Sequence, residues 1–167
     1  MSASDDVDYL AALRIGELIA KGGGNVATGG YGGVMEAASR GAVEHGGKAI
    51  GYTVQGWTMR EPNKYLSVNR PAADLYDRIR HLIEGSNALV TLGGGIGTLA
   101  ELALAWNHLF MKLILERPLI AVGDGWKQTI VAMRDVLEIS DQHMELIEFH
   151  TDVDSAVESL RSKGILS

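Results

Sequence analysis

Hydrophobic and polar positions along the chain follow two alternating spacings, one typical of amphipathic helices and one typical of short buried strands. Between Asp8 and Lys21 apolar side chains recur every three or four residues, and the glycines at 22–24 end this predicted helix. Further helices are predicted over 34–47, 72–84, 98–111 and 125–138, with a last one capped by Thr151. Parallel strands are predicted near 25–28, 49–53, 88–92, 119–122 and 147–150.

The repeated strand–helix units predict an α/β fold, a Rossmann-like doubly wound parallel sheet in a single nucleotide-binding domain over residues 1–167. The strands are short and apolar throughout, as in parallel sheets that helices cover on both faces. Ligands bind at the carboxyl ends of the strands in such folds. Residues 54–71 contain Pro62 and Pro71 and lack a clear period, so we predict a long loop there, which is often functional.

Composition excludes several classes of protein. The 167 residues include no cysteine, which excludes disulfides and thiolate metal sites, and the five histidines are scattered, so we expect no metal and no cofactor. The net charge of −6 and the lack of a Lys/Arg cluster argue against nucleic acid as a partner. The acidic start does not resemble a signal peptide, and no apolar stretch suits a membrane span, so a cytoplasmic location is expected.

Two glycine-rich loops stand where a strand passes into a helix. They read "TGGYGGVMEAASRGA" from Thr28 and "LGGGIGTLAE" from Leu92. A helix N-terminus offers unpaired N–H groups, and glycines allow a phosphate to come close. Neither loop matches the P-loop or the full dinucleotide fingerprint, which favours one phosphate of a mononucleotide. The alternative is that the glycines only form tight turns.

Two charged residues lie at unexpected helical positions. Arg78 shares a side of its helix with Leu75 and Leu82, where it either extends from the edge of the apolar stripe or binds an anionic ligand. Glu101 is the only formal charge between Thr98 and Phe110. It either gains from the helix dipole as an acid of the first turn or performs chemistry beside the glycine loop.

These segments together resemble the lonely-guy family. The segment "GGYGGVMEAASRGAVEHGG", Arg78 and "GGGIGTLAE" match its glycine-rich GGxxGxM motif, its upstream arginine and its PGGxGTxxE motif, from about Tyr9 to His150. Members of this family are Rossmann-like and usually dimeric. Its characterised enzymes hydrolyse cytokinin riboside 5′-monophosphates to the free base and ribose 5-phosphate.

The resemblance implies roles for particular residues. Glu101 would act on the ribose and the reaction centre, and Arg78 would be the second catalytic residue. The residues that would bind the 5′-phosphate are Gly94, Gly95, Gly97 and Thr98. The other ligand-binding residues would be Gly29, Gly30, Gly32, Gly33 and Met35. No proton donor is assigned.

Some residues depart from the family pattern. Gly93 stands where the family has proline, and Ile79 follows Arg78 where the family has lysine. Both changes resemble the related branch of molybdenum-cofactor carrier proteins, which bind a phosphorylated pterin, so a non-catalytic carrier stays open as the alternative. Family members begin with a hydrophobic strand that leads into a turn. The segment 1–4 would occupy that turn, and the strand itself is absent from the sequence. A late start, a shortened chain and closure of the gap by neighbouring strands all stay open.

The expected partners are a nucleoside monophosphate or related phosphorylated small molecule and a second copy of the chain. The homodimer is predicted because Leu104 and Leu109 lie beyond the core stripe of their helix, and the segment "HLFMKLIL" adds apolar surface. That stripe is predicted to contain Leu99, Leu102, Ala103, Trp106 and Phe110.

Overall fold

The computed structural model describes residues 6–167, which form two compact units. The first contains the chain up to Ser86 together with Val157–Ser167, and the second contains Asn87–Ala156. The turn expected at 1–4 lies outside the described residues. Within the described residues, no helix combines the length and apolar character that crossing a membrane requires.

The first unit contains a three-stranded parallel sheet with the strand order β1-β2-β3. Its elements are α1 (Val7–Lys21), β1 (Val26–Thr28), α2 (Val34–Glu44), β2 (Ala49–Gly51), β3 (Val68–Asn69) and α3 (Leu75–Glu84). Val26 pairs with Ala49, and Ile50 pairs with Val68. β1 is therefore one edge of this sheet.

The second unit contains another three-stranded parallel sheet, with the order β4-β5-β6. Its elements are β4 (Leu89–Thr91), α4 (Ile96–Phe110), β5 (Leu119–Val122), α5 (Asp124–Val136), α6 (Asp141–Met144) and β6 (Glu148–His150), and the final helix α7 (Val153–Ser162) begins in it. All four residues of the central strand β5 are buried, while β4 is one edge. The parallel pairing within both sheets confirms the predicted strand direction.

The predicted loop over 54–71 is wrong in part, because it contains β3. Val68 and Asn69 are both exposed, so no run of buried apolar residues marks this strand in the sequence. Its position is fixed instead by main-chain bonds: the Ser67 N–H donates to the Ala49 carbonyl and the Arg70 N–H donates to the Gly51 carbonyl, each at 2.8 Å. This pairing leaves the residues before β3 as the main irregular part of the segment.

The predicted faces of two helices also need correction. In α3, Leu75 is 51% exposed because it is the first residue after the N-cap Asp74, and the buried residues are Arg78, Ile79 and Ile83.

In α4 the buried face is Leu102, Ala105, Trp106 and Leu109. Leu109 is thus a core residue, and the expectation that it is exposed is wrong. Phe110 is 37% exposed and stacks on His143 with a centroid distance of 3.7 Å.

The predicted cap of the last helix is displaced by one residue. The Ser155 N–H donates to Asp152 Oδ1 at 2.8 Å, so Asp152 rather than Thr151 caps α7. The carboxylate is the stronger acceptor for an N-terminal amide, and Thr151 instead donates to that carboxylate at 3.1 Å. Val153, Val157 and Leu160 are buried, as the helical pattern predicts.

Candidate functional site

The first glycine loop connects β1 to α2 and is held in place by a buried asparagine. The Asn63 N–H donates to the Gly30 carbonyl at 2.8 Å, and Asn63 Nδ2 donates to the Tyr31 carbonyl at 3.1 Å. Gly33, the N-cap of α2, has φ 71°, which other residues rarely adopt, and no side chain caps the helix. The first N–H groups of α2 therefore have no capping side chain and could receive an anion.

Arg78 lies buried against this loop. Its Nε donates to the Tyr52 carbonyl at 2.9 Å, and its Nη2 lies 3.8 Å from Met35 Sδ. A Cβ added to Gly29 would lie only 1.5 Å from Nη2, so the guanidinium occupies the space that a side chain would fill there. The structure thus brings together Gly29, Met35 and Arg78, three of the site residues predicted from sequence.

The start of α3 fixes where Arg78 lies. Asp74 caps the helix by accepting the Asp77 N–H at 2.8 Å. Asp77 in turn accepts the Ala73 N–H at 3.0 Å and forms an ion pair with Arg80. The hydrogen bond from Ala73 and the bond from Arg80 together lower the pKa of the Asp77 carboxyl below its usual range. These local bonds set the helix phase that turns Arg78 toward the glycine loop.

The second glycine loop connects β4 to α4 in the other unit. The N-cap Gly95 has no side-chain cap, and open space surrounds the Cα atoms of Gly95 and Gly97. At Gly94 the space is filled by Thr98, because a Cβ added to Gly94 would lie only 2.2 Å from Thr98 Oγ1. Four predicted phosphate-binding residues therefore lie at one helix N-terminus, with a hydroxyl beside exposed main-chain N–H groups.

Glu101 lies farther along α4 than the helical pattern of the sequence predicts. The helix begins at Ile96 rather than Thr98, so Glu101 is its sixth residue and the first turn contains no acidic side chain. Because the helix-dipole effect falls off within the first turn, that interaction is a weak reason for a carboxylate here. Glu101 as a residue is half-buried.

Several residues of the first unit were missed by sequence reasoning. Tyr31 is 2% exposed, and its ring lies 6.0 Å from the Arg78 guanidinium carbon. Tyr52 and Asn63 act through a main-chain carbonyl and a side-chain amide, as described above. Only the position of Tyr31 between glycines gave a signal for it. Among the described residues, no group of three or more potential ligands could hold a metal ion.

The architecture and loops define a class of protein: an α/β protein with parallel sheets and open glycine loops at strand-to-helix junctions. A family model described as the SLOG cluster4 family matches residues 2–146. The chain belongs to that family.

The chain is also similar to individual proteins and solved structures. An uncharacterized protein of Archaeoglobus fulgidus is 34% identical over 120 residues, which cover 71% of this chain and 78% of that protein. The molybdenum cofactor binding protein of Rippkaea orientalis is similar in structure, with a TM-score of 0.75 and 24% identity over 93% of this chain and 86% of that one. The molybdenum cofactor carrier protein of Chlamydomonas reinhardtii has a TM-score of 0.69 and 24% identity over the same shares.

These comparisons confirm two predictions made from sequence. The Rossmann-like fold is confirmed by the structural similarity over most of the chain. The resemblance to the lonely-guy family is confirmed by the SLOG cluster4 family model, which matches most of the chain.

Proposed function

We propose that this chain, as a single nucleotide-binding domain, binds a nucleoside 5′-monophosphate and hydrolyses its N-glycosidic bond. One water is consumed, and the free base and ribose 5-phosphate are released. The observation that carries the proposal is the position of Glu101, a half-buried residue in the second turn of a helix whose N-terminus is an open glycine loop. The family assignment and the cofactor-binding structural neighbours support the coarser role of binding a phosphorylated small molecule.

The chemistry divides between the loops and the two charged side chains. Main-chain N–H groups near Gly95 and Gly97 would bind the phosphate, helped by the Thr98 hydroxyl. Cleavage of the C1′–N bond develops positive charge on the ribose, which the Glu101 carboxylate would stabilise while it orients a water molecule. Arg78 would donate hydrogen bonds to the departing base, a role that suits a positioned guanidinium.

A non-catalytic carrier is the second candidate function. The two solved structures named above are described as proteins that bind or carry the molybdenum cofactor, and Gly93 and Ile79 depart from the lonely-guy pattern. A carrier would bind a phosphorylated pterin and release it unchanged. The same open loops serve this role, but it gives Glu101 no chemical task.

One experiment separates the two functions. A native mass spectrum of the purified protein would identify any ligand that remains bound. Incubation with AMP, followed by chromatography for adenine and ribose 5-phosphate, would then measure turnover. Release of both products in equal amounts supports the hydrolase. Binding of AMP without adenine release over hours would replace the hydrolase with the carrier.

Gly29→Ala is expected to reduce turnover by about 10²-fold, since misplacing a catalytic group by about 1 Å can cost that much. The new methyl group would overlap Arg78 Nη2 and would lie 2.8 Å from Met35 Sδ. The guanidinium is the end of a flexible side chain and can move away, so the thermal unfolding temperature should change little. Steady-state rates with AMP and a thermal melt measure the two effects.

A double variant tests whether Gly29→Ala acts through the arginine. If the alanine only displaces the guanidinium, the same change made on an Arg78→Ala background should cause no further loss of turnover. Equal, additive losses in the two backgrounds would contradict this explanation. They would show that Gly29 contributes independently, for example through the approach of a ligand to its main chain.

The chain is also expected to form a homodimer through an apolar surface of the second unit. Met111, Leu113 and Leu115 are 57%, 61% and 81% exposed. Leu113→Glu should shift the sedimentation coefficient from that of a dimer to that of a monomer, because a charge at a buried apolar interface is unfavourable. Val136→Glu, at an 80% exposed position outside this segment, is the control. A wild-type monomer at micromolar concentration would end the dimer proposal.

A further inference from the structure

A cavity of about 200 Å³ lies beside the first glycine loop, within the first unit. Its wall includes Tyr31 of the loop and Thr53, Trp57, Thr58 and Arg60 of the segment that follows β2. Sites that bury a whole drug-sized molecule measure about 300–1,000 Å³. This cavity is therefore large enough for one ring system but too small for a complete nucleotide.

One wall of the cavity is fixed in place. The Tyr31 hydroxyl accepts the Val54 N–H at 2.8 Å, and the Tyr31 carbonyl accepts a bond from buried Asn63 at 3.1 Å. Tyr31 thus connects the cavity to the glycine loop, and its ring also lies 6.0 Å from the Arg78 guanidinium carbon. A group that binds against Tyr31 would therefore lie near Arg78. The proposed function assigns Arg78 a contact with the base.

The wall that adjoins Tyr31 is aromatic and cationic. Trp57 meets Tyr31 edge to face, with ring centroids 5.1 Å apart and an angle of 78° between the ring planes. Trp57 remains 39% exposed, so part of its ring is free of protein contact. The Arg60 guanidinium carbon lies 5.7 Å from the centre of the Trp57 ring, which places hydrogen-bond donors beside an aromatic surface.

Thr53 adds an acceptor to this lining. Its hydroxyl donates to Asn69 Oδ1 at 2.9 Å, so its oxygen retains lone pairs for an N–H donor. An aromatic surface with adjacent donors and acceptors matches the face and edges of a planar nitrogen heterocycle. An aliphatic ligand would use none of these polar groups, and a free phosphate would gain nothing from the indole.

We propose that this cavity binds the heterocyclic base of the ligand, with Trp57 as its stacking partner and Arg60 as a donor to ring acceptor atoms. The inference rests on the proposed function, because it assigns the base of the same phosphorylated ligand. It assigns the choice of base to the irregular segment before β3, which lines this cavity.

Binding of AMP and of ribose 5-phosphate, measured by titration calorimetry, tests the inference because only AMP carries a base. Trp57→Leu should weaken AMP binding about tenfold or more, the range expected for loss of a base–aromatic stack, and leave ribose 5-phosphate binding unchanged. Trp57→Phe should retain most of the AMP affinity. Met59→Ala, in the same segment at an 85% exposed position outside the cavity lining, should change neither affinity.

A spectroscopic measurement covers the case in which Trp57→Leu does not fold. AMP should change the tryptophan emission of the wild type, and this change should be absent in Trp57→Phe. If AMP and ribose 5-phosphate bind equally and Trp57 variants have no effect, the base site is wrong while the proposed function stands. If neither ligand binds at millimolar concentration, the proposed function fails and the base site fails with it.

Discussion

Glu101→Gln is expected to lower turnover of AMP by about 10²–10³-fold, the size of effect seen when a single electrostatic contributor to a transition state is removed. Glutamine retains the shape and hydrogen-bonding capacity of the side chain but removes its charge. If that charge stabilises a cationic ribose, the loss should appear in kcat. Initial rates of adenine release over a range of AMP concentrations provide the measurement.

Binding should respond differently from turnover. Because main-chain N–H groups and Thr98 are assigned to the phosphate, Glu101→Gln should change AMP affinity far less than kcat. Thr98→Ala should show the opposite result: AMP affinity should fall, and kcat should change much less. Glu116→Gln removes the same charge at an exposed position after α4 and should leave both quantities unchanged. Full turnover in Glu101→Gln would contradict the role given to this residue, whatever the family of the protein.

Five of the six parallel strands were predictable from sequence because short, largely apolar runs alternate with helical patterns along most of the chain. β5 shows this best, since all four of its residues are buried and its sequence reads as an uninterrupted apolar segment. β3 was not predictable, because both of its residues are exposed and its position depends on bonds to β2, which is distant in sequence. A pattern of hydrophobic positions detects burial, and it cannot detect pairing where burial is absent.

The helix faces were predicted less accurately at the ends of helices than in their middle. Leu102 and Trp106 are buried as expected, but the buried face turns toward Ala105 and Leu109, while Phe110 stacks on His143. This contact depends on where α6 lies, and the spacing of apolar residues in α4 gives no information about α6. The same reason explains Leu75, which the cap at Asp74 leaves at an exposed helix end.

The candidate site was partly predictable because two of its features are local. Glycines at a strand-to-helix junction and a charge on an apolar helix face are visible in the sequence itself. The contact between Gly29 and Arg78 is different in kind, since it joins residues almost fifty positions apart and only the folded chain shows it. Tyr31 was missed for a similar reason: its hydrogen-bond partners Val54 and Asn63 are distant in sequence. Whether the site residues have the roles assigned to them stays a prediction.

The packing of α1 on α2 depends on two glycines at the contact. A Cβ added to Gly16 would lie 2.2 Å from the Ala38 carbonyl oxygen, and one added to Gly41 would lie 2.0 Å from the Leu13 carbonyl oxygen. Both neighbours are main-chain atoms of a helix, so neither can rotate away as a side chain would. The two helices can approach this closely only because both positions lack a side chain.

Gly16→Ala and Gly41→Ala are each expected to destabilise the protein by about 3 kcal/mol, at the upper end of the cost of overpacking a core. Any gain in helix propensity, at most about 1 kcal/mol, is too small to offset this overlap. For a chain of this size the loss corresponds to a fall of about 6–12 °C in the melting temperature. Thermal unfolding followed by circular dichroism measures the shift.

A third glycine provides the control, because it tests whether the effect comes from contact rather than from loss of glycine. Gly125 lies within α5 and has nothing within 4 Å of an added Cβ. Gly125→Ala should therefore leave stability unchanged or raise it by up to about 1 kcal/mol, since alanine is the better helix former. If Gly16→Ala and Gly41→Ala were as stable as Gly125→Ala, the helices would not approach as closely as described. The α1–α2 contact would then not depend on glycine.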